Sequence, residues 1–147
     1  MMERREFLKQ SCLACLAAGV SGVILQGCGS VHWAAGSVEN DTVALRKAEF
    51  AYLKKGEPAV RQWVLLKTEA LPLPIGVFRS GEDEYAATYL ECTHQQCELA
   101  PEGDHLQCPC HGSEFSGTGK LQRGPAEADL KRFGVTIDED HIYILLK

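Results

Sequence analysis

Two short clusters of the sequence, CTHQQC and CPCH, concentrate residues that can bind metal ions. Their cysteines and histidines are Cys92, His94, Cys97, Cys108, Cys110 and His111. Turn-forming residues separate the clusters, among them Pro101 and Gly103. Thiolate and imidazole are ligands for zinc, copper and iron. The spacing therefore predicts two loops that lie side by side, each of which offers one cysteine and one histidine to a metal centre.

The clusters are also compatible with a structural zinc site or with a disulfide framework. A zinc site uses the same ligand types, but zinc loops usually contain C-x2-C pairs and one zinc takes four ligands, fewer than the clusters offer. A disulfide framework in which both histidines are idle would account for the cysteines alone. The other histidines, His32, His105 and His141, stand outside the clusters. We expect them to be solvated or packing residues.

The sequence from Thr42 onward has the pattern of short strands that must position the clusters. Apolar residues roughly alternate in VALRKAEFAYL, although a helix over residues 42–55 is an alternative. VRQWVLLK is rich in β-forming residues, and its Trp63 is predicted to lie in the core. A turn over residues 80–83 and another over residues 138–140 each separate two strand-like runs. This organisation predicts an all-β sandwich or barrel.

Residues 1–27 have the pattern of an export signal. A basic start that contains Arg4 and Arg5 precedes an apolar run over residues 12–27, as in signal peptides. The stretch RREFLK resembles a twin-arginine signal, and LQGC resembles a bacterial lipobox in which Cys28 is lipidated. An uncleaved anchor is the alternative, although the run is shorter than the ~20 apolar residues that a span needs. We predict a tether over residues 28–41 and one domain over residues 42–147.

The overall charge argues against nucleic-acid binding. The chain carries 15 Lys and Arg against 20 Asp and Glu, a formal net charge of −5. It therefore lacks the basic footprint of a nucleic-acid-binding protein. No nucleophile with an adjacent base is apparent in the sequence, so we do not expect catalysis by this chain alone.

The spacings C-x-H and C-x-x-H, with CPCHGS and Gly124-Pro125-Ala126, resemble the motif of the disulfide-containing, high-potential Rieske [2Fe–2S] proteins. The resemblance implies an all-β, antiparallel sandwich with a small cluster-binding subdomain at its tip, at about residues 90–126. It also implies one [2Fe–2S] cluster per subunit. By position, Cys92 and Cys108 would bind one iron, His94 and His111 the other, and Cys97 and Cys110 would form a disulfide.

These implied assignments are consistent with the rest of the sequence. Two neutral imidazoles in place of two thiolates raise the reduction potential of a [2Fe–2S] cluster. A disulfide implies an oxidising compartment, in agreement with the export signal. Of seven cysteines, Cys12 and Cys15 lie in the signal and Cys28 takes a lipid. Of the other four, two would then be iron ligands and two would form the disulfide bridge.

Three positions near the motif are expected to tune the cluster or its docking. Ser113 stands where the family has a serine that donates a hydrogen bond to a bridging sulfide. Phe115 stands where the family has a tyrosine that bonds a cysteine sulfur, so the potential should be lower than in the most oxidising members, yet above zero. Gln95 and Gln96 replace the Leu-Gly of quinol-oxidising relatives.

The resemblance implies one-electron transfer as the iron–sulfur subunit of a membrane-associated or periplasmic respiratory oxidoreductase. The redox partner would be a cytochrome b or c, as in quinol oxidation, or a molybdopterin subunit, as in arsenite oxidase. The chain would be exported and held at a membrane by lipidated Cys28 or by an uncleaved anchor. The alternatives are a Rieske ferredoxin-type component of an oxygenase and a zinc-stabilised lipoprotein binding module.

Overall fold

The computed structural model of the chain describes residues 31–147. Within that range the secondary structure is β-strand apart from one 3-10 helix, Lys47–Phe50. The strands are β1 (His32–Ala35), β2 (Ser37–Glu39), β3 (Thr42–Arg46), β4 (Ala51–Lys54), β5 (Glu57–Val60), β6 (Trp63–Lys67), β7 (Ile75–Arg79), β8 (Tyr85–Tyr89), β9 (Ala100–Glu102), β10 (His105–Gln107), β11 (Glu114–Ser116), β12 (Leu121–Arg123), β13 (Arg132–Ile137) and β14 (His141–Leu145). The prediction of an all-β fold is confirmed.

The strands form three sheets. The large sheet has the order β1-β6-β7-β8-β13-β14-β3-β2, and the small sheet has the order β12-β11-β10-β9. Strands β4 and β5 pair only with each other. All neighbouring strands are antiparallel except β1 and β6, which are parallel. The small sheet lies within the range predicted for the cluster-binding subdomain.

Strand β6 is buried on both faces, which explains its continuous apolar sequence. Val64 and Leu66 point into the main core, together with Ile75 and other apolar residues of the large sheet. Leu65 and Trp63 point to the opposite face, into a second core shared with the small sheet. The buried position predicted for Trp63 is confirmed.

The small sheet is fixed to the large sheet at one end. The indole Nε1 of Trp63 donates a hydrogen bond of 2.9 Å to the carbonyl oxygen of Gly103, in the β9–β10 turn. A Cβ atom at Gly117, just after β11, would lie 2.6 Å from the ring of Phe78, so that only glycine permits this approach. The opposite ends of β10 and β11 are therefore left free to carry the loop from Cys108 to Ser113.

The local predictions are mostly confirmed. Residues 80–83 join β7 to β8, and residues 138–140 join β13 to β14. The helical alternative over residues 42–55 is wrong, because this segment forms β3, a single 3-10 turn and β4. Only Phe50 of that turn is buried, which is too little to support a helix by packing.

The tether predicted over residues 28–41 is wrong for its described part. Strand β1 pairs with β6 in the register His32 to Val64, and β2 pairs with β3. A parallel partner is distant in sequence, so the short run HWAA gives no local signal of its pairing. The large sheet therefore already includes residues from His32 onward, before the predicted start of the domain at Thr42.

The predicted signal and Cys28 lie outside the described residues. Between residues 31 and 147, no helix is long and apolar enough to cross a bilayer.

Two loops share one backbone hydrogen-bond pattern. In the first loop, Cys92 N–H donates to the carbonyl of Cys97 (2.9 Å) and Gln96 N–H donates to that of Cys92 (2.8 Å). In the second loop, Cys108 N–H donates to the carbonyl of Ser113 (2.8 Å) and Gly112 N–H to that of Cys108 (2.9 Å). The fifth residue of each loop, Gln96 or Gly112, has a left-handed backbone, with φ of 59° or 77°.

Gln96 carries a side chain where the loop geometry favours glycine, and a left-handed conformation costs a non-glycine residue ~1–2 kcal/mol. We expect Gln96→Gly to raise the free energy of unfolding by about 0.5–1 kcal/mol, after the larger entropy of glycine in the unfolded chain is deducted. Denaturant titration measures the change. Gln95→Gly is the control, because Gln95 lacks the left-handed backbone and should only lose stability. Equal losses in both variants would contradict the role given to the backbone at Gln96.

The β13–β14 turn is organised by Asp138. The Tyr143 hydroxyl donates to this carboxylate at 2.6 Å, and the N–H groups of His141 and Asp140 donate at 2.7 and 2.9 Å. These hydrogen bonds lower the pKa of Asp138 from 3.8 to about 2, with the Tyr143 hydroxyl the largest cause. The carboxylate form thus stabilises the folded hairpin.

Because the folded-state pKa is depressed, this stabilisation is complete above the unfolded pKa and is lost as the pH falls toward about 2. We expect Asp138→Asn to lower Tm at neutral pH and to have a Tm close to that of the unsubstituted chain near pH 2. Thermal melts followed by circular dichroism across this range test it. Glu139→Gln in the same turn is the control, because the Glu139 side chain accepts no hydrogen bond within the described chain. A Tm difference that is constant with pH would refute the assignment.

Candidate metal centre

A disulfide joins the two loops. Cys97 and Cys110 are bonded, with an S–S distance of 2.06 Å and a Cα–Cα distance of 6.6 Å. This is the bridge that the sequence resemblance implied. The Sγ atoms of Cys97, Cys110 and Cys108 lie within 4.8 Å of one another. Since two of the three are consumed by the disulfide, they do not form a metal site, and the bridge instead lies beside Cys108.

The remaining two cysteines of the motif are free thiols that lie side by side in the interior. Cys92 and Cys108 are both buried, and their side chains hydrogen-bond to each other. Cys92 follows the end of β8 after two residues, and Cys108 follows the end of β10 directly. The structure thus brings together the two residues that the sequence predicted as sulfur ligands.

The two thiols differ in acidity. Burial raises the pKa of Cys92, with the neighbouring Cys108 acting in the same direction. Burial also acts on Cys108, but hydrogen bonds from the Cys92 thiol and from the N–H groups of His111 and Cys110 outweigh it and lower the pKa of Cys108. The two pKa values are thus shifted in opposite directions, and a bound cationic centre would favour the thiolate form of both residues.

Backbone N–H groups of both loops converge on the sulfurs. Cys92 receives hydrogen bonds from His94 and Gln95, and Cys108 receives them from Cys110 and His111. Such donors favour thiolate over thiol. This arrangement is suited to a metal–thiolate centre, in which N–H donors near the sulfurs also tune the potential.

The two histidines of the motif lie at the surface. His94 and His111 are exposed, and their rings meet edge to face with centroids 4.9 Å apart and planes at 87°. The donor set is therefore asymmetric: two thiols lie inside and two imidazoles outside. A centre of two metal ions, each with two protein ligands of one kind, fits these residues.

Ser113 is buried, and its hydroxyl group already forms one hydrogen bond as an acceptor. Its hydroxyl oxygen accepts from the N–H of Ala126 at 3.0 Å. Among the hydrogen bonds of residues 31–147, its own proton has no acceptor, so the O–H is free to donate to a bound group. This arrangement agrees with the tuning role expected for Ser113 and ties the segment at residues 124–126 to the second loop.

Phe115 is fully buried and lies opposite Leu106 in the β10–β11 pair. It belongs to the same apolar core as Cys92 and Cys108. The position therefore supplies packing next to the thiols but no hydroxyl donor.

Thr93 is a contact that the sequence did not predict. Its hydroxyl donates to the carbonyl oxygen of Ala128 at 2.7 Å, which joins the first loop to the segment after Pro125. The motif spacing does not indicate this role, because the acceptor is a backbone atom of a distant segment.

The other histidines stay outside the centre. His32 lies in β1, where its Nε2 is 2.8 Å from Glu49 Oε2, so the solvated linker expected there is wrong. His105 lies in β10 beside Asp104, and His141 begins β14.

Comparison with known proteins gives the family of the chain. The sequence profile of the Rieske [2Fe-2S] domain matches residues 47–134. The chain is 42% identical over 55 residues to the cytochrome b6-f complex iron-sulfur subunit 2 of Trichormus variabilis, a match that covers 36% of this chain and 31% of that protein. It is 32% identical over 75 residues to a cytochrome b6-f complex iron-sulfur subunit of a Synechococcus species, over 48% of this chain and 42% of that protein.

The match to these curated relatives spans less than half of their length. Among solved structures, the plasma membrane Rieske protein PetC3 from Synechocystis PCC 6803 superposes with a TM-score of 0.51 at 28% identity. That superposition covers 56% of this chain and 85% of the other chain.

The matched profile spans more than half of the sequence and contains both loops, their disulfide, and the paired thiols and imidazoles. On these grounds the chain belongs to the Rieske [2Fe-2S] domain family, and its cofactor is a Rieske [2Fe-2S] cluster.

Proposed function

We propose that this chain carries single electrons as the iron–sulfur subunit of a membrane-associated, bc-type respiratory oxidoreductase. The observation that carries the proposal is the pairing of two buried thiols with two exposed imidazoles across disulfide-linked loops. Cys92 and Cys108 would hold one iron, and His94 and His111 the other. When bound, the cluster supplies one-electron chemistry at roughly −150 to +300 mV.

In the proposed carrier, the interior residues hold the cluster and the surface residues contact the redox partner. Burial of Cys92 and Cys108 excludes water from the sulfur side, and the disulfide holds the two loops together. His94 and His111 form the exposed edge, where a partner can approach. Electron transfer then needs contact at the histidines and no access to the sulfur side.

The relatives support a cytochrome b or c partner, because the curated proteins that match this chain at 42% and 32% identity are subunits of cytochrome b6-f complexes. A molybdopterin partner of the arsenite-oxidase kind is the second candidate. The observation that favours it is the polar tip, where Gln95 and Gln96 are exposed beside His94. A quinol pocket would be expected to favour an apolar side chain at that point.

Two other functions receive less support. An oxygenase ferredoxin component works in the cytoplasm, where a disulfide such as Cys97–Cys110 is rare. A zinc-stabilised binding module would not account for the family match over residues 47–134.

We also propose that the chain is exported and held at the membrane through lipidated Cys28 or an uncleaved N-terminal anchor. The disulfide supports the oxidising side of the membrane. The basic and apolar pattern of residues 1–27 supports export.

The decisive experiment is spectroscopy of the purified full chain. We expect a coloured protein whose reduced form gives the EPR spectrum of a [2Fe–2S] cluster with mixed nitrogen and sulfur ligation. His94→Ala combined with His111→Ala should abolish that spectrum, because both imidazole ligands are lost. His105→Ala combined with His141→Ala is the matched control and should retain it. A spectrum that survives loss of His94 and His111, or a colourless protein, would refute the proposal.

Hydrogen-bond donors near the sulfurs should set the potential. We expect Phe115→Tyr to raise it and Ser113→Ala to lower it, each by roughly 40 mV, which corresponds to about 1 kcal/mol of difference between the redox states for one electron. Protein-film voltammetry measures both shifts. Phe78→Tyr is the control, because Phe78 packs on Trp63 at the far end of the small sheet. A Phe115→Tyr potential that is unchanged or lower would contradict the role given to this position.

A further inference from the structure

The β4–β5 hairpin presents an apolar face to solvent. Residues directly opposite each other in an antiparallel pair share one face. The register places Ala51 opposite Val60 and Leu53 opposite Pro58, so one face consists of these four residues alone. All four are exposed, Leu53 to 71% and Val60 to 53%. This apolar hairpin face has no covering element within the described chain.

The tip of the hairpin carries two lysines and one glutamate. Lys54 lies directly opposite Glu57, and Lys55 follows in the turn, where Lys55 and Gly56 have φ of 54° and 88°. Within residues 31–147, neither lysine forms an ion pair. On the other face of the hairpin, the guanidinium of Arg61 lies 5.0 Å from the ring centroid of Tyr52. The hairpin thus combines an exposed apolar face with an opposite face and a tip that carry a tyrosine and an excess of positive over negative side chains.

Trp33 lies at the same end of the domain as the root of the hairpin. The contact of His32 with Glu49, at 2.8 Å, places the start of β1 beside the 3-10 turn that leads into β4. Trp33 is 51% exposed, although it is a large aromatic residue. Exposed tryptophan and tyrosine beside cationic residues are typical of a membrane–water interface.

We propose that the apolar hairpin face, the lysines at its tip and Trp33 form a surface that binds an anionic lipid bilayer. The inference rests on the proposed membrane attachment at or near Cys28. Only three residues separate Cys28 from His32. That segment spans at most ~14 Å, so attachment at Cys28 keeps the start of β1 close to the lipid headgroups.

A bilayer accounts for this composition better than a protein partner does. The apolar face fits the boundary between headgroups and acyl chains, and the two lysines, which outnumber the one glutamate of the tip, fit anionic headgroups. The surface also lies away from the metal centre. The hairpin runs into β6 at Trp63, which contacts the Gly103 turn, whereas Cys108 follows the opposite end of β10.

Tryptophan fluorescence of the full chain in vesicles tests the proposal. The chain has two tryptophans, of which Trp63 is buried. The vesicles are an equimolar mixture of phosphatidylglycerol and phosphatidylcholine, with or without brominated acyl chains. We expect the brominated lipid to quench the emission of the wild-type chain and to leave Trp33→Phe unquenched. Comparing the two vesicle types removes quenching by the iron–sulfur cluster.

Variants in the hairpin identify the contacting face. We expect Leu53→Ser, and separately Lys54→Glu with Lys55→Glu, to reduce the quenched fraction by at least half. Ile137→Ser is the matched apolar control, because Ile137 is also exposed but lies in β13. Lys131→Glu with Arg132→Glu is the control for the same change in net charge. Both controls should retain wild-type quenching.

Two results would overturn the proposal. One is wild-type emission that brominated lipid does not quench, including the case in which the hairpin instead joins two copies of the chain. The other is equal loss of quenching in the hairpin variants and the controls. A missing EPR spectrum would refute the proposed electron-transfer function without changing either fluorescence result, so the two failures are distinguishable.

Discussion

The burial of two thiols side by side is the constraint on which the rest of the structure depends. Two adjacent thiolates in a low-dielectric interior repel each other, and the protein supplies no cation next to them among the described residues. Burial raises the pKa of Cys92, whereas hydrogen bonds from Cys92 and from the second loop outweigh burial and lower the pKa of Cys108. A positively charged centre between the two sulfurs would stabilise both thiolates. The two loops must hold the thiols in place for that centre, and much of the small subdomain serves this purpose.

The loops are held by contacts that do not depend on one another. Each has its own pair of backbone hydrogen bonds, the disulfide joins them, and Thr93 and Ser113 connect them to the segment around Pro125. The small sheet that carries the second loop is in turn fixed at its far end by Trp63. A rigid site of this kind reduces reorganisation when the charge of the centre changes, which is the physical requirement for a one-electron carrier.

The sequence predicted features whose signals are local. Spacing alone indicated two metal-binding loops around Cys92 and Cys108, and turn residues at positions 138–140 indicated the last hairpin. The parallel pairing of β1 with β6 could not be predicted, because its partner lies 32 positions along the chain, at Val64 for His32. The left-handed backbone at Gln96 could not be predicted either, because glutamine does not indicate this conformation. Glycine does indicate it, as at Gly112 in the equivalent position of the second loop.

The early start of the domain constrains how the carrier meets its partners. Because β1 belongs to the large sheet, the proposed attachment near Cys28 would leave only a few residues of free chain. His94 and His111 lie on the loops at the far end of the small sheet from Trp63, whereas the hairpin runs into β6 at Trp63. A bilayer bound at the proposed hairpin surface would therefore leave both imidazoles open to a redox partner. Under the proposed function, a cytochrome b with a docking surface outside the bilayer meets this requirement, and so does a water-soluble molybdopterin subunit.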